Sequence, residues 1–477
     1  MTFDTAAAEA NRPVAPRPTG VRAAERALAP DLARGLMLLF IAMSNTAFHL
    51  WNSDYGPSGW QPTNGGWLDH TVQFAMIVGL DLRIYPLFAF LFGYGMMQLY
   101  LRQTATGTPE RKAAALLRKR SLWMIVIGLA HAGLLMAGDI VGYYGLLSLG
   151  LGWLFLRRGD RALKWWIWIS VTVSVAAAAQ PVVTAALQGE LSSLGDAGAD
   201  AGSEAYAAGK ESWLAAAGTR MMTGLFLVGA AAPLVLVTGG GFIFLLGFWA
   251  ARRRILEEPG EHLRLLRGTA IIGIAIGWLG GLPAALAHVG ALDVSADAQS
   301  ETGALMALRD VTGSAAGLGY VALVALFVHW WTRRQERRGR RERQDWPREA
   351  TPGPATATTP TSATPATAST AATAATAATA ATPTTTFTSA PVATAVTAIS
   401  AVGKRSLSCY LTHSLLFAPI LAAWGLGLGE HLTSATMVLF AFGVWLVTVA
   451  GAYALEIRGK RGPAETLLRR LMYGKRT

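Results

Sequence analysis

Cysteine is almost absent from this chain. Cys409 stands alone among 477 residues, which excludes an intramolecular disulfide framework and any multi-cysteine metal site. Charge is scarce as well. Asp, Glu, Lys and Arg make up 15% of the sequence, where a soluble protein carries about 25%. Acidic residues are the scarcer sign, 29 against 41 basic ones, leaving a net charge of +12. There is no Walker loop, no HExxH and no glycine signature following a strand, so the familiar nucleotide and zinc-hydrolase motifs are excluded. Residues 1–25 are polar and rich in Ala and Pro, with no early apolar core, and no cleavable signal peptide is expected there.

Long apolar runs fill most of the remainder. Ten spans are read near residues 34–52, 84–101, 119–138, 139–156, 163–187, 218–250, 268–289, 312–331, 405–426 and 434–456. Each is about the 17–25 residues a bilayer requires, except 218–250, which must tilt, break or include an interfacial part. The fold class expected is therefore all-α, a polytopic membrane helical bundle. The loops between spans alternate in charge. Basic residues gather before the first span, in 102–120, 157–164, 251–267 and 333–348, and in the C-terminal tail. The intervening loops carry Asp54, Asp69, Asp81, Glu190, Asp196, Asp200, Glu204, Asp293, Asp297, Glu301 and Glu430. With ten spans, every basic loop falls on one face, and the positive-inside rule places both termini in the cytoplasm. The basic residues then read as topology determinants and contacts for anionic lipid rather than as a nucleic-acid surface.

Four regions follow. Residues 1–27 read as a disordered cytoplasmic tail, and 28–332 as the first eight spans. Residues 333–403 read as an Arg-rich, then Ala/Thr/Pro-rich, disordered cytoplasmic linker, because they lack the residues of a core. Residues 404–477 hold the last two spans and a basic tail. Within the external loop 53–82, the stretch Val72 to Leu80 is too short to span and reads as an interfacial or re-entrant helix.

Polar groups at membrane depth are expensive and mark sites by default. Asp31 and Arg34 are three residues apart and share a helix face. They read either as an end-of-helix ion pair or as an anion site with Arg34 as the fork. Asn45 and His49 follow on one face of the same span, the first as a helix-helix hydrogen bonder, the second as a cavity or interfacial residue. His131 lies mid-span, and Asp139 sits at the outer turn of a tight hairpin, with Tyr144 beyond it. The two are about two turns apart, too far for contact along one straight helix, yet both can line one cavity. His131 reads as a proton-transfer group or as a helix-helix hydrogen bonder, and Asp139 as its partner or as an N-cap. Arg83 enters its span on the outer side and calls for a partner such as Asp81 or Asp69. Ser406, Tyr410, His413 and Ser414 recur at three- and four-residue spacing as one polar stripe. No multi-histidine or cysteine pattern calls for a metal.

Taken in order, several of these segments resemble the bacterial YeiB-like family of polytopic membrane proteins, whose members carry a domain of unknown function. The residues that carry the resemblance are Asp31-x-x-Arg34-Gly35, Asn45, Leu87-Phe88-x-x-Leu91-Phe92-Gly93-x-Gly95, His131 with Gly138-Asp139-Ile140, Gly403-x-x-Ser406-x-x-x-Tyr410, and Gly462-Pro463-x-Glu465 with Arg469. Pro30 and Ala33 replace the usual Leu, and His413 stands where the family often has Gln. The family looks related to transmembrane acyltransferases such as heparan-glucosaminide acetyltransferase. That relation implies transfer of an acetyl or acyl group from cytoplasmic acyl-CoA to an extracytoplasmic glycan, lipid or small molecule. It also implies a bacterial cytoplasmic membrane, with Arg34, Arg118 and Arg120 beside Asp31 at the donor phosphates, and His131 or His70 as the base. The residues themselves leave two other classes open. One is a proton-coupled transporter or exporter using His131 and Asp139. The other is a non-catalytic scaffold acting through the linker. Small-residue stripes serve packing within and between chains alike, so a homodimer stands beside a monomer.

Overall fold

The computed structural model describes residues 27–187, 202–237, 240–301, 303–344 and 390–474. The helices in chain order are α1 (Leu28–Ser44), α2 (Trp67–Gly79), α3 (Ile84–Ala105), α4 (Glu110–Leu134), α5 (Ile140–Phe155), α6 (Asp160–Leu187), the single turn α7 (Gly202–Ala205), α8 (Trp213–Phe226), α9 (Ala232–Val237), α10 (Phe242–Arg252), α11 (Leu263–His288), the turn α12 (Ala296–Gln299), α13 (Ala304–Gln344), α14 (Ala390–Lys404), α15 (Ser406–Leu421), α16 (Ser434–Ile457) and α17 (Pro463–Tyr473). Among the described residues, β structure is limited to an isolated bridge between Tyr55 and Pro62. The chain divides into two units, Met1–His329 with Val396–Thr477, and Trp330–Ala395. The candidate site lies in the first.

Among the described residues, six helical segments are long and apolar enough to cross a membrane: Ile84–Ala105, Asp160–Thr184, Trp213–Leu236, Pro259–His288, Ala304–Arg341 and Ser434–Ile457. Four shorter apolar helices accompany them, Ile140–Phe155, Phe242–Arg252, Val392–Lys404 and Ser406–Leu421. A helix satisfies its own backbone, which is why a chain with this little charge folds into helices rather than open strands. The α6 segment buries almost none of its length against the protein. Its Trp165, Trp166 and Trp168 are exposed near the basic loop, where amphipathic rings sit at a membrane–water boundary.

Contacts at the loops sort the bundle into two ends. At the basic end, Arg252 Nη1 pairs with Asp160 at 2.8 Å and Gln103 Nε2 donates to Tyr473 at 3.4 Å. At the other end, the Ser44 hydroxyl donates to Asp81 at 3.0 Å and the Ala435 N–H to Asp69 at 2.9 Å. The Asp69 side chain is buried, which opposes its charge. The N–H groups of Ala435 and Gly66 and the Thr433 hydroxyl outweigh that and hold it below the usual carboxylate range.

Some expectations are met and several are corrected. The break expected as one option for 218–250 occurs, giving α8, a π-helical turn at Leu227–Ala231, α9 and α10. Val228 packs beside Gly142, Leu236 beside Gly150 and Leu151 beside Gly241, so the π turn and α9 run alongside α5 before α10 crosses α3. That crossing is backbone to backbone. A Cβ on Gly93 would meet the Phe244 carbonyl oxygen at 2.3 Å, and one on Gly247 the Phe90 carbonyl oxygen at 2.4 Å. The first span ends at Ser44, and a 3₁₀ turn, Ala47–His49, follows. Asn45 is therefore a helix C-cap, and Asn45 and His49 do not share a helix face. The reading of 333–403 as a disordered linker is overturned at both ends: α13 continues to Gln344, and α14 begins at Ala390 with Ala398, Ala401 and Val402 buried. The small residues of 396–403 allow that packing, since Ile399 lies on Gly35 and Gly403 on Asp31. The Ala/Thr/Pro tract at 345–389 and the tail at 1–26 lie outside the described residues. The expected helix in the 53–82 loop is present as α2.

Candidate functional site

The α4–α5 hairpin builds the clearest constellation. Its two helices approach at Gly128, where a Cβ would stand 2.1 Å from the Gly142 nitrogen and 2.3 Å from Asp139 Oδ2. Glycine at that position lets the turn fold back onto α4. The turn returns Asp139 to His131, and Nδ1 of His131 lies 2.8 Å from Oδ1 of Asp139. The two-turn separation along a straight helix does not apply across this reversal, and Asp139 takes the expected place of partner as well as of cap. The other carboxylate oxygen accepts the Gly142 N–H at 2.6 Å, so Asp139 is also the N-cap of α5. Both functions fall to one side chain.

His131 is 5% exposed and Asp139 3%. Because a carboxylate accepts, Nδ1 is the donor of that bond, and in the neutral ring this tautomer leaves the lone pair on Nε2. Nε2 is buried and has no hydrogen-bond partner. Tyr410 of α15 packs its ring 5.2 Å from the imidazole and accepts the Ile140 N–H at 3.3 Å. Ser414, one turn on, reaches Met136 Sδ at 3.5 Å. Arg220 of α8, 2% exposed, donates to the Gly133 and Leu134 carbonyls, each at 3.2 Å, capping the C-terminus of α4 with a positive charge.

The predicted polar stripe on α15 divides. Tyr410 and Ser414 face the hairpin, whereas His413 turns to α16 and shares a 3.2 Å hydrogen bond with Thr448. Ser406 opens the helix, half-buried. The N-terminal amides of Leu407 and Ser408 are capped by Glu465 of α17, at 2.9 and 3.1 Å. His49 is 4% exposed with both ring nitrogens buried and unpartnered, edge-on to Phe417 at 5.6 Å. It is therefore a buried residue and not an interfacial one. His70 is half-buried on α2 and bonds Gln73 at 3.2 Å. Among the described residues no bond joins it to His131 or Asp139.

At the basic end a second group forms. Arg34 Nη1 lies 3.3 Å from Asp31, and its Nη2 donates to the Leu91 carbonyl at 3.2 Å. Arg120 lies half-buried over the Phe92 ring, 4.9 Å from its centre, and is close enough to Arg34 to feel its charge. Tyr144 stacks on the same Phe92 and donates to the Tyr85 carbonyl at 2.9 Å. Arg118 does not join: it is exposed, because a two-residue step turns it about 200° around the helix from Arg120. Glu257, in the turn after α10, accepts from Tyr94 and from Gln98, the latter at 2.5 Å. Burial pushes its carboxyl up to about 7, assisted by the neighbouring Glu258 and opposed by Arg34.

Arg83 finds Asp81, but through the backbone: Nη1 donates to the Asp81 carbonyl at 2.5 Å and Nη2 to the Gly277 carbonyl at 2.7 Å. The Asp81 carboxylate pairs instead with Arg309 at 2.9 Å. Sequence reasoning missed Arg220, Glu257 and Arg309. Arg220 was detectable as a charge inside an apolar segment. The other two sit at helix ends, where charge is ordinary. Among the described residues, no group of three or more His, Cys, Asp or Glu is arranged to hold a metal ion.

Residues 250–340 and 353–475 match a family described as protein of unknown function, DUF418. That agrees with the resemblance to YeiB-like proteins. The matched region contains Glu257, Arg309, Tyr410 and His413; His131, Asp139, Arg34 and Arg120 precede it. Neither a curated protein nor a solved structure matches the chain.

Proposed function

We propose, from the premise that residues 250–475 are a DUF418 region within a membrane helical bundle, that the protein is a multi-pass acyltransferase of a bacterial cytoplasmic membrane. In this reading the basic end, with both termini, faces the cytoplasm, and the His131 end faces outward. The donor is acetyl-CoA or another acyl-CoA, and the acceptor is an extracytoplasmic glycan, lipid or small molecule. The observation that carries it is the His131–Asp139 pair with Nε2 buried and unpartnered.

The chemistry follows from that geometry. Asp139 fixes the imidazole tautomer and stabilises the cation that forms. Nε2 takes the proton from an acceptor hydroxyl or amine as its oxygen or nitrogen attacks the thioester carbonyl. The imidazolium returns that proton to the departing thiolate, so the enzyme ends unchanged. Arg34 and Arg120 suit donor phosphates. Eleven residues of α4 separate Arg120 from His131, roughly 16 Å, a distance that an extended pantetheine arm covers. Phe92, Tyr144 and Phe88 form one aromatic cluster beside Arg120.

The test is acetyl-CoA-dependent labelling of extracted lipid or glycan by the full chain in proteoliposomes. Labelling that survives unchanged in His131→Ala sinks the proposal. A second reading, a proton-coupled transporter, is supported by the same buried protonatable pair beside the broken segment α8–α10. It predicts proton-coupled flux with no chemical change to the solute.

A further inference from the structure

One membrane-length helix stands apart from the bundle. The α6 segment buries 6% of its apolar window, whereas the other membrane-length segments bury 22–56% of theirs. Leu163 and Ile167 are buried and Val171 packs against the core, so these positions mark the protein-facing side of α6. At about 100° per residue, the opposite side carries Trp165, Ile169, Thr172, Ala176, Ala179 and Val183. All six are exposed.

These six follow the alternating four- and three-residue steps of a heptad seam. Its middle is Thr172, Ala176 and Ala179, small enough for a second helix to approach closely. Polar groups on the same side supply an independent mark. The Thr172 hydroxyl makes no hydrogen bond among the described residues. Gln180 borders the seam, is exposed, and its amide reaches Thr184 alone among the described residues, at 3.5 Å. Along the helix axis the two stand about 10 and 22 Å from Trp165, within a hydrocarbon core of about 30 Å. A hydroxyl or amide left without a partner in hydrocarbon is costly, and a neighbouring helix relieves that cost.

We propose that α6 pairs with α6 of a second copy of this chain, parallel and along this seam. The occupant is a second copy because the bonding groups are self-complementary. A hydroxyl both donates and accepts, and so does a primary amide. The two Thr172 hydroxyls meet across a two-fold axis normal to the membrane, and each Gln180 reaches the other helix from the border of the seam. A repeat of 3.5 residues winds such a pair left-handed. The interface is separate from the His131 pair and does not depend on acyl transfer.

The experiment uses the full chain in liposomes, with Cys409→Ala as background and single cysteines introduced by Ala176→Cys, Ala179→Cys, Ala178→Cys and Leu279→Cys. Oxidation is expected to cross-link the Ala176→Cys and Ala179→Cys chains into dimers. Ala178→Cys, on the protein-facing side of α6, and Leu279→Cys, 67% exposed on α11, should stay monomeric. Single-molecule photobleaching at falling protein-to-lipid ratio reads the dimer equilibrium. Gln180→Leu should weaken it by roughly three- to tenfold, and Ala176→Phe should abolish it with the chain still folded by circular dichroism. A chain that is monomeric at every ratio, cross-linking no stronger at positions 176 and 179 than at 178 and 279, or a dimer untouched by Ala176→Phe overturns the proposal.

Discussion

His131 Nδ1 lies 2.8 Å from Asp139 Oδ1, although the two belong to different helices of a hairpin and Asp139 simultaneously caps the second. The pair is buried, and Nε2 of its imidazole has no hydrogen-bond partner. The strongest prediction concerns its chemistry. His131→Ala should lower acyl transfer by about 10²–10⁴-fold, the usual contribution of a positioned general base, with the fold intact by circular dichroism. Asp139→Ala should also lower transfer, but with a stability cost of about 1 kcal/mol from the lost cap. Thermal unfolding separates the two variants.

Gly128→Ala tests how the pair is assembled. The added methyl meets backbone at the hairpin crossing, so stability should fall by about 1–3 kcal/mol. Transfer activity should fall more steeply than folded fraction, because the same contact displaces Asp139. Parallel thermal and activity measurements on Gly128→Ala check this.

The basic end makes a discriminating prediction among arginines. Arg34→Ala and Arg120→Ala should each weaken acyl-CoA binding by roughly tenfold or more, the scale of a lost charge-assisted hydrogen bond. Arg118→Ala should leave it unchanged, since that side chain is exposed. Equilibrium binding of a labelled acyl-CoA distinguishes the three.

Glu257 gives the pH dependence. Burial raises its carboxyl from 4.5 to about 7, so the folded protein favours the neutral acid. Its stabilising contribution is present in full below 4.5 and is lost as pH rises through about 7. Ionised Glu257 also places negative charge near Arg34, so donor affinity should fall across the same window. Glu257→Gln should flatten both profiles, as read by thermal shift and binding between pH 5 and 8.

Legibility in the sequence followed locality. The Asp31–Arg34 pair and the Asp139 cap depend on residues a few positions apart, and both were readable from spacing. The α2 helix was readable from a run of apolar residues too short to span. The stripe on α15 was readable as a stripe, but not as two faces, because which partner each side chain meets depends on α4, α5 and α16 together. Arg118 and Arg120 looked equivalent until the α4 face was fixed by its neighbours. The helical start of 390–404 was hidden by an Ala/Thr-rich composition that resembles a linker. It packs only because Gly35 and Gly403 let backbones touch.

The sequence by itself determined that this protein is a bundle of apolar helices with charge sorted to its ends, since helix formation and charge sorting are local properties of each segment. Tertiary structure alone decided that Asp139 reaches His131, that Asp81 is shared among Ser44, Gln61 and Arg309, and that Glu257 faces Tyr94 and Gln98. Those contacts join residues from separate helices or across a chain reversal, and no periodicity records where helices cross. The crossings are set by close backbone approaches, such as Gly128 on Gly142 and Gly93 on Phe244, which exist only once the helices are packed.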